Sequence, residues 1–572
     1  MLHQRPRADD ARLASYLNSM TCSTLVPPRG WKRNCILRHG GGLAFSMAVS
    51  GQVEVESPAI VSDADSRRQT DPLDFGPGLR GWFRAGTSFL AVLTMLVLGI
   101  IYIFCLYRPD MNDPDIWWHI RNAQYLVEHH GFPRFDVYSF TAAGHPWINT
   151  EWLSEIPYYV AYRALGLVGV KSLAFFLLST IFLLLLYLCY QESRNFKASV
   201  TVCYYATFLA TVSFGPRTIL FGYVYLLVLL IVMQRFEQRG DAPLWLIPPL
   251  FCLWANTHGS WSIGLILFFL MSISGLVGGV WGRVEAVRWT PAQLKKLIIT
   301  SAATIAALFV NPFGWRLVTY PFDLAFRQKL NITHVQEWVS VDFHDLRGKM
   351  VLTLIVGLLL GALFRNRRWK LGGLLILLFA LYSGLTYIRF LVLLGIVAAP
   401  VLAKILDFFP AYRPADETPR VNMAVLSLMI GLMVYFWPHE SKIQQSIEET
   451  YPAGVVSYLK AHPPQGNVLN FYLWGGYLGW NDPAFKDFID SRVDIFEYEG
   501  VLKDYLDILG ADNLQHRPDA ILDKYHIRYV LFPPSDTKNP LHVGGQLVYV
   551  LEHDPHWKTI YKDRVSVLLE KQ

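Results

Sequence analysis

Long apolar segments alternate with short polar loops over most of this 572-residue chain. Taken with a window of about 19 residues, the pattern predicts about eleven transmembrane helices, and hence a polytopic α-helical membrane protein. Several segments are shorter than the roughly 20 residues that a full span needs, so neighbours around tight turns could be miscounted. The segments lie near residues 87–107, 168–190, 199–214, 218–235, 243–257, 261–282, 298–311, 349–364, 370–386, 390–406 and 421–437.

The N-terminal end differs from this transmembrane domain, which we place at residues 86–438. Residues 1–85 contain Pro, Gly and scattered charges without a sustained apolar period, which predicts a disordered cytoplasmic leader. Because no apolar core of signal-peptide type precedes it, the first span is predicted to be an uncleaved anchor. Translation could begin at Met1 or at Met47.

The C-terminal end, residues 439–572, alternates strand-like and amphipathic segments bounded by Gly, Asn and Pro. This alternation predicts a small soluble α/β domain. The predicted strands cover residues 468–471, 488–490, 527–532 and 565–569, and the predicted helices cover 449–461, 499–511 and 516–525.

Composition agrees with a membrane protein and excludes two other classes. Hydrophobic residues make up 53% of the chain and charged residues 17%, whereas a soluble domain carries about 25% charged residues. The net charge of +6 does not indicate nucleic-acid binding, because Lys and Arg lie mostly in short loops and form no basic stripe. The cysteines contain no CxxC pair, so neither a disulfide framework nor a structural zinc site is predicted.

The charges of the loops predict an orientation in the inner membrane. With a cytoplasmic N-terminus, the loops richest in Lys and Arg all fall on the cytoplasmic side, as the positive-inside rule requires. The large first loop, residues 108–166, and the C-terminal domain then lie outside the cytoplasm. This topology also requires residues 152–166 to lie along the outer membrane surface rather than cross it.

Ionisable residues gather on the predicted outer face. Asp113, Asp115 and His119 follow the first span, together with two tryptophans. Trp is a common interfacial anchor, but an anchor needs no carboxylates or histidine beside it, so this cluster indicates a functional site. Ionisable residues at membrane depth usually face a cavity or a partner, although each could instead reach the headgroups or cap a helix. The other candidates on this face are Arg217, His258, Glu337 and Arg389.

A second group of candidates lies in the C-terminal domain. Trp474 and Tyr477 belong to an aromatic and glycine-rich cluster, which suits stacking on a sugar ring. Asp490 and Arg492 suit hydroxyl groups or a phosphate. A turn packed against the membrane domain is an equally good interpretation of the aromatic cluster.

The first loop also carries a family resemblance. The run from Asp113 to Arg121, followed by Gly131-Phe132-Pro133, Asp136 and Trp147, resembles the first external loop of GT-C superfamily glycosyltransferases. It is most similar to the oligosaccharyltransferase catalytic subunit, and it also resembles protein O-mannosyltransferases and uncharacterised bacterial GT-C-like membrane proteins. The layout is similar as well, with many spans and an external C-terminal domain that contains a Trp-Gly-Gly-Tyr-like element.

This resemblance implies transfer of a sugar from a polyprenyl-phosphate carrier in the membrane to a glycan, lipid or protein acceptor in the cell envelope. It implies that Asp113 or Asp115 acts as a general base or a metal ligand. The family's second-loop acidic metal motif has no clear match here, so dependence on a divalent cation such as Mg²⁺ or Mn²⁺ stays open. The pairs Glu151 with Glu155, or Glu337 with Asp342, could supply carboxylates in its place.

The residue types fit this chemistry independently of the resemblance. Displacing a lipid phosphate from a sugar needs a base for the acceptor and a cation for the leaving phosphate. Asp113 or Asp115 can be the base with His119 as its partner, and guanidinium groups such as Arg217 and Arg389 can hold the phosphate. Two alternatives stay open: a non-catalytic GT-C-like protein of polysaccharide assembly, and a transporter of a lipid-linked substrate. A transporter is expected to show internal repeats, which we do not find in the sequence.

Overall fold

The computed structural model describes residues 73–111, 113–334, 336–509, 518–535 and 545–572. Most of the predicted leader, including Met1 and Met47, lies outside the described residues. Its last part contains helix α1 (Gly78–Gly86), and helix α2 begins three residues later.

The central domain is built from helices joined by short loops. A π-helix (Tyr102–Tyr107) continues α2, and short 3₁₀ turns at Gln336–Trp338 and Ile388–Phe390 lie beside the site described below. The helices after α1 are α2 (Phe89–Ile101), α3 (Asp115–His129), α4 (Trp152–Ser193), α5 (Phe196–Leu209), α6 (Ile219–Arg239), α7 (Ile247–Thr257), α8 (Trp261–Ser274), α9 (Pro291–Leu308), α10 (Trp315–Arg327), α11 (Lys329–His334), α12 (Leu346–Phe364), α13 (Leu371–Thr386), α14 (Leu391–Ile405) and α15 (Pro419–Tyr435). A small sheet joins β1 (Gly279–Trp281), β2 (Val284–Ala286) and β3 (Trp369–Lys370).

Every predicted apolar segment contains a helix, but the predicted number of spans is not confirmed. Within the described residues, 5 helices are long and apolar enough to cross a membrane, or 6 if the bent pair of α15 and the following helix counts as one. The difference arises at turns, since hydropathy counts apolar residues and does not mark helix ends. Helix α7 begins at Ile247 and α8 ends at Ser274, so each is shorter than its predicted segment, 243–257 and 261–282.

Helix α4 is interrupted near residue 166. The segment 152–166, which the sequence predicts to lie along the outer membrane surface, ends there. Leu165 and Gly166 have non-helical backbone angles, and the positive φ of Gly166 (62°) suits a residue without a side chain. The second half then begins with free backbone N–H groups. Glu440 accepts hydrogen bonds from the N–H groups of Leu167 and Val168, at 2.9 and 3.0 Å, which places a carboxylate at a helix N-terminus, where it is stabilising.

The C-terminal domain has a four-stranded sheet in the order β4-β5-β7-β6. Strands β4 and β5 are parallel and the other pairs are antiparallel. The strands are β4 (Asn467–Asn470), β5 (Ile527–Phe532), β6 (Trp557–Lys562) and β7 (Val567–Lys571). The helices are α16 (Glu440–Glu448), α17 (Ala453–Ala461), α18 (Gly475–Asn481), α19 (Val493–Tyr498), α20 (Val501–Ile508), α21 (Asp519–Lys524) and α22 (Gly545–Glu552).

Three of the four predicted strands are present, as β4, β5 and β7. Residues 488–490 do not form a strand, and their neighbour Asp487 pairs by an isolated bridge with Ser139 of the first loop. That bridge, together with the hydrogen bond from the Phe140 N–H to the Asp487 carbonyl (3.0 Å), attaches the first loop to the C-terminal domain. The site lies beside this junction.

Candidate active site

A cavity of about 470 Å³ lies where α3, the start of α6, the two 3₁₀ turns and the C-terminal domain meet. It gathers side chains that are far apart in the sequence. Its wall includes all the candidates from the first loop and the helix ends: Asp113, Asp115, His119, Arg217, His258, Glu337 and Arg389.

The start of α3 sets the positions of the two aspartates. Asp113 precedes the helix, and its Oδ1 accepts the backbone N–H of Asp115 at 3.1 Å, which satisfies a free donor of the first turn. Pro114 is favoured here because the first turn of a helix needs no N–H from it. The sequence Asp-Pro-Asp therefore begins the helix and also turns both carboxylates towards the cavity.

Arg217 is held between two carboxylates. Its Nε lies 2.7 Å from Oδ2 of Asp113, and its Nη1 lies 2.7 Å from Oε1 of Glu337. The Asp113 carboxylate, followed by Glu337, raises the pKa of Arg217 against the opposing effect of burial. Burial raises the pKa of Glu337, but Arg217 and Arg389 lower it by more, so Glu337 stays ionised.

Asp115 has a different environment from Asp113. Burial and the adjacent Asp113 carboxylate raise the pKa of Asp115 to about 7, although His119 and Arg217 act in the opposite direction. The indole N–H of Trp118 donates to Oδ1 of Asp115 at 3.3 Å. Asp115 can therefore take up and release a proton near neutral pH.

The sequence suggested that His119 is the partner of an aspartate. In the structure, its ring nitrogens lie beside two glutamates instead. Its Nδ1 is 3.1 Å from Oε1 of Glu155, and its Nε2 is 3.3 Å from Oε2 of Glu151. The amide groups of Asn122 and Asn149 also donate to Glu155. Burial lowers the pKa of His119, but the glutamates raise it by more, which favours the imidazolium. One turn of α3 thus connects this charged network to Asp115.

His258 completes the same network from the turn between α7 and α8. Its Nδ1 accepts the backbone N–H of Ser260 at 3.0 Å, so the ring proton is on Nε2, 3.4 Å from Oε1 of Glu151. Burial lowers the pKa of His258, in spite of the nearby Glu151. The Thr218 hydroxyl also donates to Glu151, at 2.7 Å. His258 is thus a neutral donor that fixes Glu151 at the cavity wall.

Arg389 is the cation in the cavity that is most available to a ligand. It lies in the turn before α14, with its guanidinium 4.2 Å from the ring centre of Trp338. Among the described residues, we find no carboxylate within ion-pair distance of it. Stacking on an indole holds a guanidinium in place while leaving its N–H groups free to bind an anion.

The two aromatic candidates of the C-terminal domain lie outside the cavity. Trp474 and Tyr477 are each 4% exposed. Trp474 packs against Phe471, and Tyr477 packs edge-on against Trp117, with ring centres 5.1 Å apart. Their faces are therefore covered and are not free to stack on a sugar. The neighbouring Tyr472 and Leu473 line the cavity instead.

The glycines of this cluster have a structural role. A Cβ on Gly476 would lie 3.3 Å from the carbonyl oxygen of Pro114 and from the N of Trp118. Helix α18 can therefore approach α3 closely only with a very small residue at this position. The cluster holds the C-terminal domain against the helix that carries Asp115, which agrees with the alternative of a turn packed on the membrane domain.

Asp490 and Arg492 contact each other and the first loop. The guanidinium of Arg492 donates to Asp490 at 2.5 to 3.0 Å and to Asp136 at 2.7 Å. It also lies 4.9 and 4.8 Å from the ring centres of Tyr138 and Trp147. These charges are almost completely buried, so they join the first loop to the C-terminal domain and are not free to bind a substrate, although Arg492 reaches the cavity wall.

Two further residues of the cavity were not found from the sequence. Asp494, at the start of α19, accepts a hydrogen bond from the Tyr320 hydroxyl at 2.7 Å. Burial raises the pKa of Asp494 to about 6. Nothing in the sequence pattern connects α10 with α19, and the pair becomes visible only where the two helices meet.

The carboxylates suggested for a divalent cation do not form a set of metal ligands. Glu151 and Glu155 both lie against His119, and Asp342 is exposed, with its carboxylate bonded to the backbone of the same loop. Asp113 and Glu337 are both paired with Arg217. Over the part of the chain that the structure describes, no three His, Cys, Asp or Glu side chains converge as metal ligands would.

No protein-family profile and no curated protein match this sequence. Among solved structures, the chain is similar to the oligosaccharyltransferase of Archaeoglobus fulgidus. Its apo form is 10% identical over 78% of this chain and 69% of that chain, with a TM-score of 0.47. The form tethered to an acceptor peptide is 12% identical over 84% and 74%, with a TM-score of 0.48. The complex with an inhibitory peptide and a dolichol-phosphate is 11% identical over 85% and 74%, with a TM-score of 0.46.

These structures belong to the family that the first loop resembles in sequence. The chemistry of the site is derived from the residues of this chain.

Proposed function

We propose that this protein is an integral membrane glycosyltransferase that moves a sugar from a polyprenyl-phosphate donor to an acceptor at the outer face of the membrane. The observation that carries the proposal is a single cavity whose wall contains Asp115 and two guanidinium groups, those of Arg217 and Arg389. A base and fixed cations are what this transfer needs, and the chain also has helices apolar enough to cross a membrane.

Asp115 is the general base of the proposed reaction. The acceptor hydroxyl gives its proton to Asp115 while its oxygen forms a bond to the anomeric carbon. The bond between that carbon and the phosphate oxygen breaks, and the polyprenyl phosphate leaves with the electron pair. Asp113 is less suited to this step, because its carboxylate is engaged by Arg217.

Arg389 and Arg217 stabilise the leaving phosphate. Negative charge grows on the phosphate oxygens as the bond to the sugar breaks, and cations fixed in advance stabilise that charge most effectively. Arg389 offers free N–H groups, whereas Arg217 offers those that its two carboxylates leave unused. The network of His119, Glu151 and Glu155 holds α3 in place through its buried contacts.

The test offers purified protein a panel of radiolabelled polyprenyl-phosphate sugars, with membrane extract as the acceptor source. We expect the wild type to release label from the lipid, and Arg389→Gln to do so about 10²–10³-fold more slowly. Arg528→Gln is the matched control, because Arg528 is a half-exposed arginine of the C-terminal sheet and should not matter. No turnover with any donor would favour a non-catalytic protein or a transporter, and equal rates in both variants would remove Arg389 from the site.

The rate should also depend on pH through Asp115. Because the base must be deprotonated, kcat/KM should rise as the pH increases through about 7 and then level off. The charged groups that face Asp115 are Asp113, His119 and Arg217. Asp113 raises the pKa, so Asp113→Asn should move the midpoint to lower pH. An unchanged midpoint in that variant, or a profile that is flat across neutral pH, would contradict the assignment.

A further inference from the structure

We infer that Arg217 supplies, as a fixed guanidinium, the positive charge that a divalent cation would otherwise supply between Asp113 and Glu337. The inference rests on the proposed function in one respect, since a leaving phosphate needs a cation. The evidence is the geometry of the Arg217 side chain and the hydrogen-bond and ion-pair partners of the acidic residues around it.

Two carboxylates from distant parts of the chain meet across this one cation. Asp113 comes from the loop before α3, and Glu337 from the 3₁₀ turn before α12. Each lies 2.7 Å from a nitrogen of Arg217. The two nitrogens, Nε and Nη1, belong to the same planar group, so one guanidinium bridges both carboxylates. A divalent cation bound by both carboxylates would have to displace the guanidinium.

The remaining acidic residues near this point are also engaged. Glu155 accepts from two asparagines and lies against His119. Glu151 lies against His119 and His258 and accepts from Thr218. Asp494 accepts a hydrogen bond from the Tyr320 hydroxyl. Asp115 is left as a single carboxylate, which could hold Mg²⁺ or Mn²⁺ only together with the phosphate of a donor. For that reason the test includes a lipid phosphate.

Arg217 is well held in this position. The Tyr158 hydroxyl donates to its backbone carbonyl at 2.9 Å, and the following residue begins the turn into α6. A guanidinium stays charged at any pH at which a protein is folded, and it can contact two carboxylates at once. Lysine could not replace it, because an ammonium group is a single point of charge on a flexible stem.

The test measures Mn²⁺ binding by electron paramagnetic resonance, with and without added polyprenyl phosphate. The proteins are the wild type, Asp113→Asn, Arg217→Ala and the double variant Arg217→Ala with Glu337→Gln. We expect wild type and Asp113→Asn to bind equally little Mn²⁺. Arg217→Ala should gain a site, at least tenfold tighter than any in the wild type, and the double variant should lose it again. Sugar transfer by the wild type should be unchanged after dialysis against EDTA.

Two results of the Mn²⁺ measurement would overturn the inference. One is Mn²⁺ binding by the wild type that Asp113→Asn removes, and this comparison decides the matter even if Arg217→Ala does not fold. The other is a folded Arg217→Ala that gains no Mn²⁺ site, because Arg217 would then not occupy a place that a metal could take. Mn²⁺ binding requires no sugar transfer, so failure to find a donor would contradict the proposed function and leave the inference standing. Loss of sugar transfer after dialysis against EDTA would overturn the inference and leave the proposed function standing.

Discussion

Asp115→Asn should lower the rate of sugar transfer by about 10²–10⁴-fold, the usual loss when a general base is removed. Asparagine has nearly the same shape, and its side-chain oxygen can still accept the hydrogen bond from Trp118. The protein should therefore fold normally while lacking the group that takes the acceptor's proton. Initial rates with a saturating lipid-linked donor, over a range of acceptor concentrations, would separate a loss in kcat from a loss in binding.

Two further variants make this result specific to Asp115. Asp507→Asn replaces an exposed carboxylate of α20 that pairs with Lys503, and it should leave the rate unchanged. Asp113→Asn removes the ion pair that holds Arg217, so it should reduce the rate by less than Asp115→Asn does and should act mainly on the donor. If Asp115→Asn kept a rate within a few-fold of the wild type while Asp113→Asn lost it, the base would be Asp113.

The residues of the candidate site were easier to predict than their contacts. Asp113, Asp115 and His119 stand out in the sequence because charges are rare next to an apolar segment. Arg217 and Arg389 stand out for the same reason. The sequence does not reveal that Arg217 lies between Asp113 and Glu337, since those three residues meet only when three separate loops converge.

The aromatic cluster of the C-terminal domain shows the opposite case. Trp474 and Tyr477 have the chemistry of a sugar-binding platform, and nothing in their spacing says which face is covered. The packing of α18 on α3 covers Tyr477, and Phe471 packs against Trp474, whereas Tyr472 stays at the cavity. Side-chain chemistry alone therefore does not separate a binding platform from an interface between domains.

The fold was predicted best where a single periodicity continues for many residues. The apolar segments became helices, but some of their ends differ: α8 ends at Ser274, whereas its apolar segment continues to residue 282. Strand β6 (Trp557–Lys562) was missed because it is an edge strand with several exposed polar residues. Edge strands keep charged side chains and so lack a continuous apolar signal.

The buried ion cluster around Arg492 explains how the site keeps its shape. Asp136 lies in the first loop and Asp490 in the C-terminal domain, and a single guanidinium that reaches the cavity wall joins them. Burial raises the pKa of Asp136, but Arg492 and Ser139 lower it by more, so the pair stays charged. Because the first loop and the C-terminal domain both border the cavity, a change in this cluster should disturb the site.

Arg492→Met should lower the free energy of unfolding by about 3–5 kcal/mol, which is the usual cost of breaking a buried ion pair from one side. Methionine fills a similar volume but leaves Asp136 and Asp490 buried without a cation. The midpoint of thermal unfolding in detergent would measure the loss. Arg528→Met is the matched control: Arg528 is 50% exposed and lies 3.1 Å from Glu570, and such surface pairs contribute about 0–1 kcal/mol.

A triple variant identifies the cause of this loss. Arg492→Met combined with Asp136→Asn and Asp490→Asn has no buried charge at these positions, so it should recover part of the stability that Arg492→Met loses. No recovery would mean that the stacking of the guanidinium on Tyr138 and Trp147 is the larger contribution. Equal losses in Arg492→Met and Arg528→Met would show that the cluster does not hold the two domains together. Since the cluster supports the cavity wall, the triple variant should also transfer sugar faster than Arg492→Met at the same temperature.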